Sequence, residues 1–385
     1  MPPKKSTKVK LNIIKDTEQH VELPNLNNDL NLTSIVRSKK DLINGFQILI
    51  YKANSDNEKT AVFKVRQYED VIKILQNYPN NNIESLDDIT KWLHENGKKD
   101  PKKILSKIKE FLESGEIQEV NDALKDKRVS SVMDLTTVYA IGPSKAIQLY
   151  DKHNISTVKE LEELFKKDKS VLNDKQAIGL KYHYDLIQRI PRDEIDEYAK
   201  VIDTICKRIS KNMEWSINGS YRRGHLSSGD IDILISSKDG KEVEYRHQLR
   251  CELSRIGIIK EILASGDKKD MCITKINEKG IARHMDLMST NIDSYPFAVM
   301  YFTGSGPWNV LQRNHALKMG YTINEFTIAY KDTKLPVSKD DIKKKIGKTS
   351  FQTEKDIYDF LDLEYVLPAD RDDIKNLKIK VYITV

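Results

Sequence analysis

A chain of 385 residues, 39% hydrophobic and 32% charged, has enough apolar material to bury several cores and falls in the range of two to four domains. No stretch reaches the roughly 18 apolar residues of a membrane span, and no apolar leader follows the start, which argues against membrane and secretory classes. The net charge of +6 permits nucleic-acid binding without requiring it. Three cysteines (Cys206, Cys251, Cys272) without close spacing read as inert thiols in a reducing compartment, not as disulfides or a zinc site.

In chain order, residues 1–40 are polar, rich in Asn and Lys and without period, and read as a disordered tail whose "PPKK" reads first as a solvated basic end, with a nuclear address as the alternative. Residues 41–121 carry helical spacing, as in "VIKIL" and "ILSKIKEFL", broken by "NYPNNN" and "ENGKKDP". A second helical block spans 122–190. Its "LTTVYAIGPSKAIQLYDKHNIST" reads as helix, tight turn around Gly142 and helix, the helix-hairpin-helix pattern. The period then changes. "WSINGSY", "IDILIS", "MCITKI" and "HMDLMS" read as strands of a mixed sheet over 191–300. Residues 301–385 mix a helix ("GPWNVLQRNHALKMG") with short strands in "YTINEFTIAY" and "KIKVYITV". The expected class is α+β and multidomain.

The stretch "GSYRRGHLSSGDIDILISS" (Gly219–Ser237) concentrates the chemistry. Asp230 and Asp232 lie two apart on a strand, so their carboxylates share a face. Two such carboxylates repel unless a cation sits between them, and hard oxygens suit Mg²⁺. The preceding "GSYRRG" can turn backbone N–H groups, the Ser220 hydroxyl and Arg223 toward an anion. Asp286, in "RHMDLMS", offers a third carboxylate for a two-metal clamp on a nucleoside triphosphate.

"GSYRRGHLSSGDID" resembles the nucleotidyltransferase signature of the X family of DNA polymerases, most closely the beta type. "IGPSKA", "RIPRDE", "YFTGS", "GYTINEFTI" and "TEKDIYDFL" follow in the family's order, so the resemblance covers about residues 41–371. It implies a nucleotidyltransferase palm at 191–300 and a nucleotide-selecting subdomain at 301–385. Asp230 and Asp232 then hold both Mg²⁺ ions, for which Mn²⁺ can substitute, and Asp286 holds the catalytic one. Arg189, Ser220, Arg223 and the Gly229 backbone grip the triphosphate. Tyr301 to Gly304 form the turn beside the nucleotide sugar, and Asn309 and Arg313 reach the minor-groove edge. Backbone carbonyls of Thr136, Val138 and Ile141 hold a monovalent cation, Na⁺ or K⁺.

The resemblance extends to a lyase helix in "KKILSKIKEFLESGEI", with Lys107 as Schiff-base nucleophile on 5′-deoxyribose phosphate and Lys103, Lys64 and Tyr68 in support. Attack needs a neutral amine, which neighbouring cations such as Lys103 favour. Several positions depart from the family pattern. Ser106 and Phe63 replace an expected Glu and His, "ENGKKDP" replaces a Gly-x-Gly turn, and His284 and Met288 replace arginines around Asp286. Met288 cannot exchange a salt bridge during closure, which leaves Glu325 without that partner, and Gly306 stands where a carboxylate can contact the nucleotide. The implied function is gap filling in base-excision-type repair by a monomer acting on gapped or nicked 5′-phosphorylated DNA with deoxynucleoside triphosphates. The setting is the nucleus, or a viral factory or virion. A template-independent nucleotidyltransferase and a non-catalytic gapped-DNA scaffold are the rivals. The first needs a long insertion between Cys251 and Asp286, where none is obvious, and no interaction domain is evident before the tail.

Overall fold

The computed structural model describes residues 37–380 apart from 57–59, 79, 81, 99 and 100. The expected tail therefore lies outside the described residues as far as 36. Its last four residues do not extend it: β1 (Arg37–Ser38) pairs with β2 (Asn82–Ile83), and Arg37 donates to the Leu112 and Glu113 carbonyls.

The first helical unit holds α1 (Lys39–Ser55), α2 (Ala61–Gln76), α3 (Leu86–Glu95), α4 (Lys102–Ser114) and α5 (Gln118–Lys125). Ser38 caps α1 by accepting from Asp41 N–H, satisfying an end donor. Leu42, Phe46, Leu49, Ile104, Ile108 and Phe111, at helical spacing, close one core. Val120 of α5 belongs to that core, α5 itself continues across position 121 as far as Lys125, and Asp126 caps the next helix. That helix is α6 (Lys127–Leu135), followed by α7 (Pro143–His153), α8 (Val158–Lys167), α9 (Asp174–Lys181) and α10 (His183–Leu186). Pro143 starts α7 with Gly142 at its N-cap, as the "IGP" turn predicts. Gly179 of α9 lies against this turn: a Cβ there would stand 2.2 Å from the Tyr139 carbonyl oxygen.

Next come β3 (Ile190–Pro191), α11 (Arg192–Ile209), β4 (Met213–Ile217), α12 (Gly219–Arg222), β5 (Ser227–Ser228), β6 (Ile231–Ser237), α13 (Glu242–Arg255), β7 (Ile259–Ser265), β8 (Lys269–Thr274) and β9 (Arg283–Ser289). A five-stranded sheet runs β4-β6-β9-β8-β7, with β6 and β9 parallel and the other pairs antiparallel. The strand β7 is absent from the sequence reading. It is an edge strand with two register shifts and no clean alternation. Side chains alternate across the sheet. Ile231, Ile233, Ile235, Met285 and Leu287 join the core with α11 and α13, so Asp232, Leu234, Asp286 and Met288 face the other way.

That second face is half covered. From α14 (Tyr295–Thr303), Ala298 and Val299 pack on Leu234 and Met288, which leaves the aspartate end open. Met288 is thus a packing residue under a helix. The chain finishes with α15 (Gly306–Lys318), the hairpin β10 (Tyr321–Ile323) and β11 (Ile328–Tyr330), α16 (Lys339–Ile346) and α17 (Glu354–Phe360), around a core that includes Trp308, Tyr358 and Phe360. Of the expected final strand, Ile379 makes a single bridge with Leu363, and 381–385 lie outside the described residues. No helix among the described residues is long and apolar enough to cross a membrane.

Candidate active site

Strand pairing builds the acidic centre. Asp232 of β6 and Asp286 of β9 are direct register partners in the parallel pair, and Asp230 stands exposed one residue before β6. The Gly219 turn closes over them, with φ of +62° and so little room that a Cβ would meet Asp232 Oδ2 at 2.8 Å. Burial first, then the charges of Asp230 and Asp286, push the Asp232 carboxyl up to about 7, against the pull of Lys269. Asp286 Oδ1 is buried with no hydrogen-bond partner, and its Oδ2 lies 2.5 Å from Lys269 Nζ.

These groups fit a divalent cation in donor chemistry: hard oxygens, mutual repulsion and an unused buried lone pair. Among the described residues, no group of three or more His, Cys, Asp or Glu side chains is already gathered closely enough to hold a metal ion. One Asp286 oxygen is engaged by Lys269 instead.

The expected phosphate-binding residues are brought together around the same turn. Arg189 donates to the Ser227 carbonyl (2.5 Å) and hydroxyl, and a Cβ at Gly229 would lie 3.6 Å from its guanidinium. The Ser220 hydroxyl bonds Ser228 at 2.9 Å. Arg223 bonds Asp372 and the Thr303 carbonyl, which places it beside Gly304. The peptide between Gly304 and Ser305 is cis. Asn309 donates to the Tyr301 carbonyl at 2.7 Å and Arg313 lies 5.0 Å over the Tyr301 ring, so Tyr301, Asn309 and Arg313 form one cluster.

A cleft of about 270 Å³ joins the helix-hairpin-helix to this centre; Thr137, Tyr139, Gly229, Asp230 and His284 line it. His284 packs on Tyr139 with ring centroids 5.8 Å apart, and its Nδ1 is 3.7 Å from Asp286 Oδ1. Of the three carbonyls expected to hold a monovalent cation, that of Val138 already accepts the Ile141 N–H at 3.0 Å within the turn. Gly142 has open space around it.

The lysine cluster of the first unit is assembled differently from its spacing. Gln67 of α2 and Lys98, Lys102 and Lys103 around the start of α4 line a cleft of about 510 Å³. Tyr68 is buried against Phe46, and burial and then Glu119 push its hydroxyl up to about 12. Lys107 contacts Glu119 of α5, whose other oxygen is 3.5 Å from Lys52 of α1. The neighbour in contact with Lys107 is thus a carboxylate. Phe63 is 70% exposed at the start of α2.

Sequence reasoning missed three participants. Glu119 and Lys269 reach their partners across helix and strand pairings that no local spacing reveals. Arg222, inside the quoted motif, bonds the Thr303 hydroxyl and Glu354.

Three domain descriptions match in sequence. Residues 134–187 match the fingers domain of DNA polymerase lambda, 189–291 the DNA polymerase beta palm and 298–372 the DNA polymerase beta thumb. The chain carries the fingers, palm and thumb domains of the X-family DNA polymerases. Among relatives it is 25% identical to DNA polymerase lambda of Arabidopsis thaliana over 85% of this chain and 60% of that protein. It is 26% identical to DNA polymerase lambda of Rattus norvegicus over 70% and 47%, and 24% identical to DNA-directed DNA/RNA polymerase mu of Homo sapiens over 69% and 57%. These relatives favour the lambda and mu type over the beta type expected from the motifs. The chain spans about half the length of the curated relatives it matches.

Proposed function

We propose that the protein is a template-directed DNA polymerase of the lambda and mu type that fills short gaps in 5′-phosphorylated DNA from deoxynucleoside triphosphates, in base-excision-type repair. The observation that carries this reading is the direct pairing of Asp232 with Asp286 under the Gly219 turn. Asp230, Asp232 and Asp286 would hold two Mg²⁺ ions, or Mn²⁺ in their place, which supply an activated 3′-hydroxyl and charge neutralisation on the leaving pyrophosphate. Arg189, Ser220, Arg223 and the Gly229 N–H orient the triphosphate and offset charge on its oxygens. Tyr301 to Gly304 wall the sugar, while Asn309 and Arg313 meet the minor-groove edge of the new pair. The helix-hairpin-helix turn at Gly142 would anchor a strand backbone beside Asp230, and the carbonyls of Thr136, Val138 and Ile141 would hold a monovalent cation that neutralises phosphate charge there. The β7–β8 connection is only Gly266, Asp267 and Lys268, far shorter than the long loop a template-independent enzyme would need, which favours templated addition.

Primer extension on gapped DNA with Mg²⁺ tests the reading. Asp286→Asn loses orders of magnitude in rate and keeps DNA binding near wild type, since it removes a cation ligand and no basic contact. Extension within tenfold of wild type would overturn the assignment. Failure of the wild type to extend, with gapped-DNA binding intact, would favour a scaffold, and extension without a template would favour the template-independent rival.

A second activity, 5′-deoxyribose phosphate lyase, is supported by Lys107, only 17% exposed and one turn along α4 from Lys103, which lines the cleft. The neutral amine attacks C1′, water leaves to give the Schiff base, and loss of a C2′ proton breaks the C3′–O bond. Lys103, Lys64 and Tyr68 support the 5′-phosphate end. Borohydride trapping on incised abasic DNA, lost in Lys107→Ala with polymerisation spared, is the expected result.

A further inference from the structure

The pair formed by Lys269 and Asp286 joins a mobile cation to the third carboxylate. Asp286 has a side chain 8% exposed, and an ionised carboxylate so enclosed is costly without a counter-charge. Lys269 supplies one. It leaves β8 opposite Met288, two residues from Met271, the register partner of Asp286. Residues opposite one another in a sheet share a face, so Lys269 reaches Asp286 diagonally on the open aspartate side. Its ammonium approaches Oδ2 to 2.5 Å while 43% of its side chain stays exposed. Asp232, Asp230 and His284 are further charged or titratable groups of the same cluster. Oδ1 of Asp286 is buried with no hydrogen-bond partner, 3.7 Å from His284 Nδ1.

An ammonium and a divalent cation cannot share one carboxylate at these distances without strong repulsion. A lysine on a flexible stem, unlike a buried arginine fork, can leave for solvent at little cost. We infer that Lys269 is the resident counter-ion of the metal-free site, a positioning residue that holds Asp286 in place and must be displaced before a divalent cation binds there. This inference rests on the metal reading above. It makes metal affinity a difference between two cations competing for one carboxylate, and removing the resident one strengthens binding of the other.

The test is Mn²⁺ binding to the full chain without DNA or nucleotide, read from the free-ion electron paramagnetic resonance signal. Lys269→Met binds Mn²⁺ about tenfold more tightly than wild type, within the usual range of couplings between sites. Lys269→Arg, which keeps the charge, binds no more tightly than wild type. Metal-free Lys269→Met also melts at a lower temperature, and saturating Mn²⁺ raises its Tm by more than it raises that of wild type. Asp286→Asn separates the two ideas. If it binds Mn²⁺ as wild type does, the metal reading itself falls. If it binds more weakly while Lys269→Met matches wild type, the site holds metal and Lys269 is only a surface ion pair, which overturns this inference.

Discussion

At Gly219 the backbone sits at φ of +62° with Asp232 Oδ2 where a side chain would begin, so space and conformation both demand glycine. Gly219→Ala adds a left-handed strain of about 1 kcal/mol and forces the turn off the carboxylate. We expect at least a tenfold loss in gapped-DNA extension, with a fall of only a few degrees in Tm, about what that strain predicts. Unchanged extension would show that the turn does not position the aspartates. At Glu119 the logic runs the other way. Its contact with Lys107 must open before the amine can reach a sugar carbon. Glu119→Gln should therefore raise the initial rate of borohydride trapping at neutral pH, and a slower rate would mean that Glu119 holds Lys107 in its productive position.

Elements meet through a few buried charges. Arg222 of α12 and Arg371 both bond Glu354 at the start of α17, at 2.6 and 2.7 Å, while Arg222 also bonds Thr303 of α14. This joins the motif turn to the carboxy-terminal helices. Burial opposes ionisation of Glu354, yet Arg222 and Arg371 outweigh it and hold the carboxyl below its ordinary value of 4.5. A depressed carboxyl contributes stability that is present above the unfolded value and lost as pH falls through the folded one. Glu354→Gln leaves Arg371 buried without its counter-charge, a loss on the order of 3 kcal/mol at neutral pH. In denaturant titrations, the wild-type advantage over Glu354→Gln should hold from neutral pH to about pH 5 and shrink below pH 4.5. A gap constant into acid would show that the carboxylate charge is not what joins these elements.

Across the molecule, the helical units are separable only at particular joints. The first core keeps Val120 of α5, whereas Asp126 caps α6. A fragment that starts at Asn121 cuts α5; one that starts at Asp126 begins at a natural cap. The Asp126 fragment should fold and extend primers but bind gapped DNA more weakly and lose preference for a 5′-phosphorylated gap. Equal use of gapped and open templates by the full chain would overturn this division of labour. Contacts of α1 with α6 and α7 tie the first unit to the second, so some loss of Tm is expected on truncation.

The sequence alone determined what is local. Gly-Pro ahead of α7 marks a helix start because the proline acts at the first helical position itself, whereas Ser38 caps α1 inside the stretch that reads as tail. Asp230 and Asp232 were legible because strand alternation fixes a shared face. The partner of a strand is set by neither its spacing nor its composition. The tertiary structure alone decided that β9 lies parallel to β6 with Asp286 opposite Asp232, that Lys269 reaches across from β8, and that Met288 packs under α14. The same holds for Lys107, whose neighbour by spacing is Lys103 but whose partner in contact is Glu119, from a helix that only the closed core brings near. Charges a few ångströms apart interact strongly whatever their separation along the chain, so the electrostatics of both sites belong to the folded molecule.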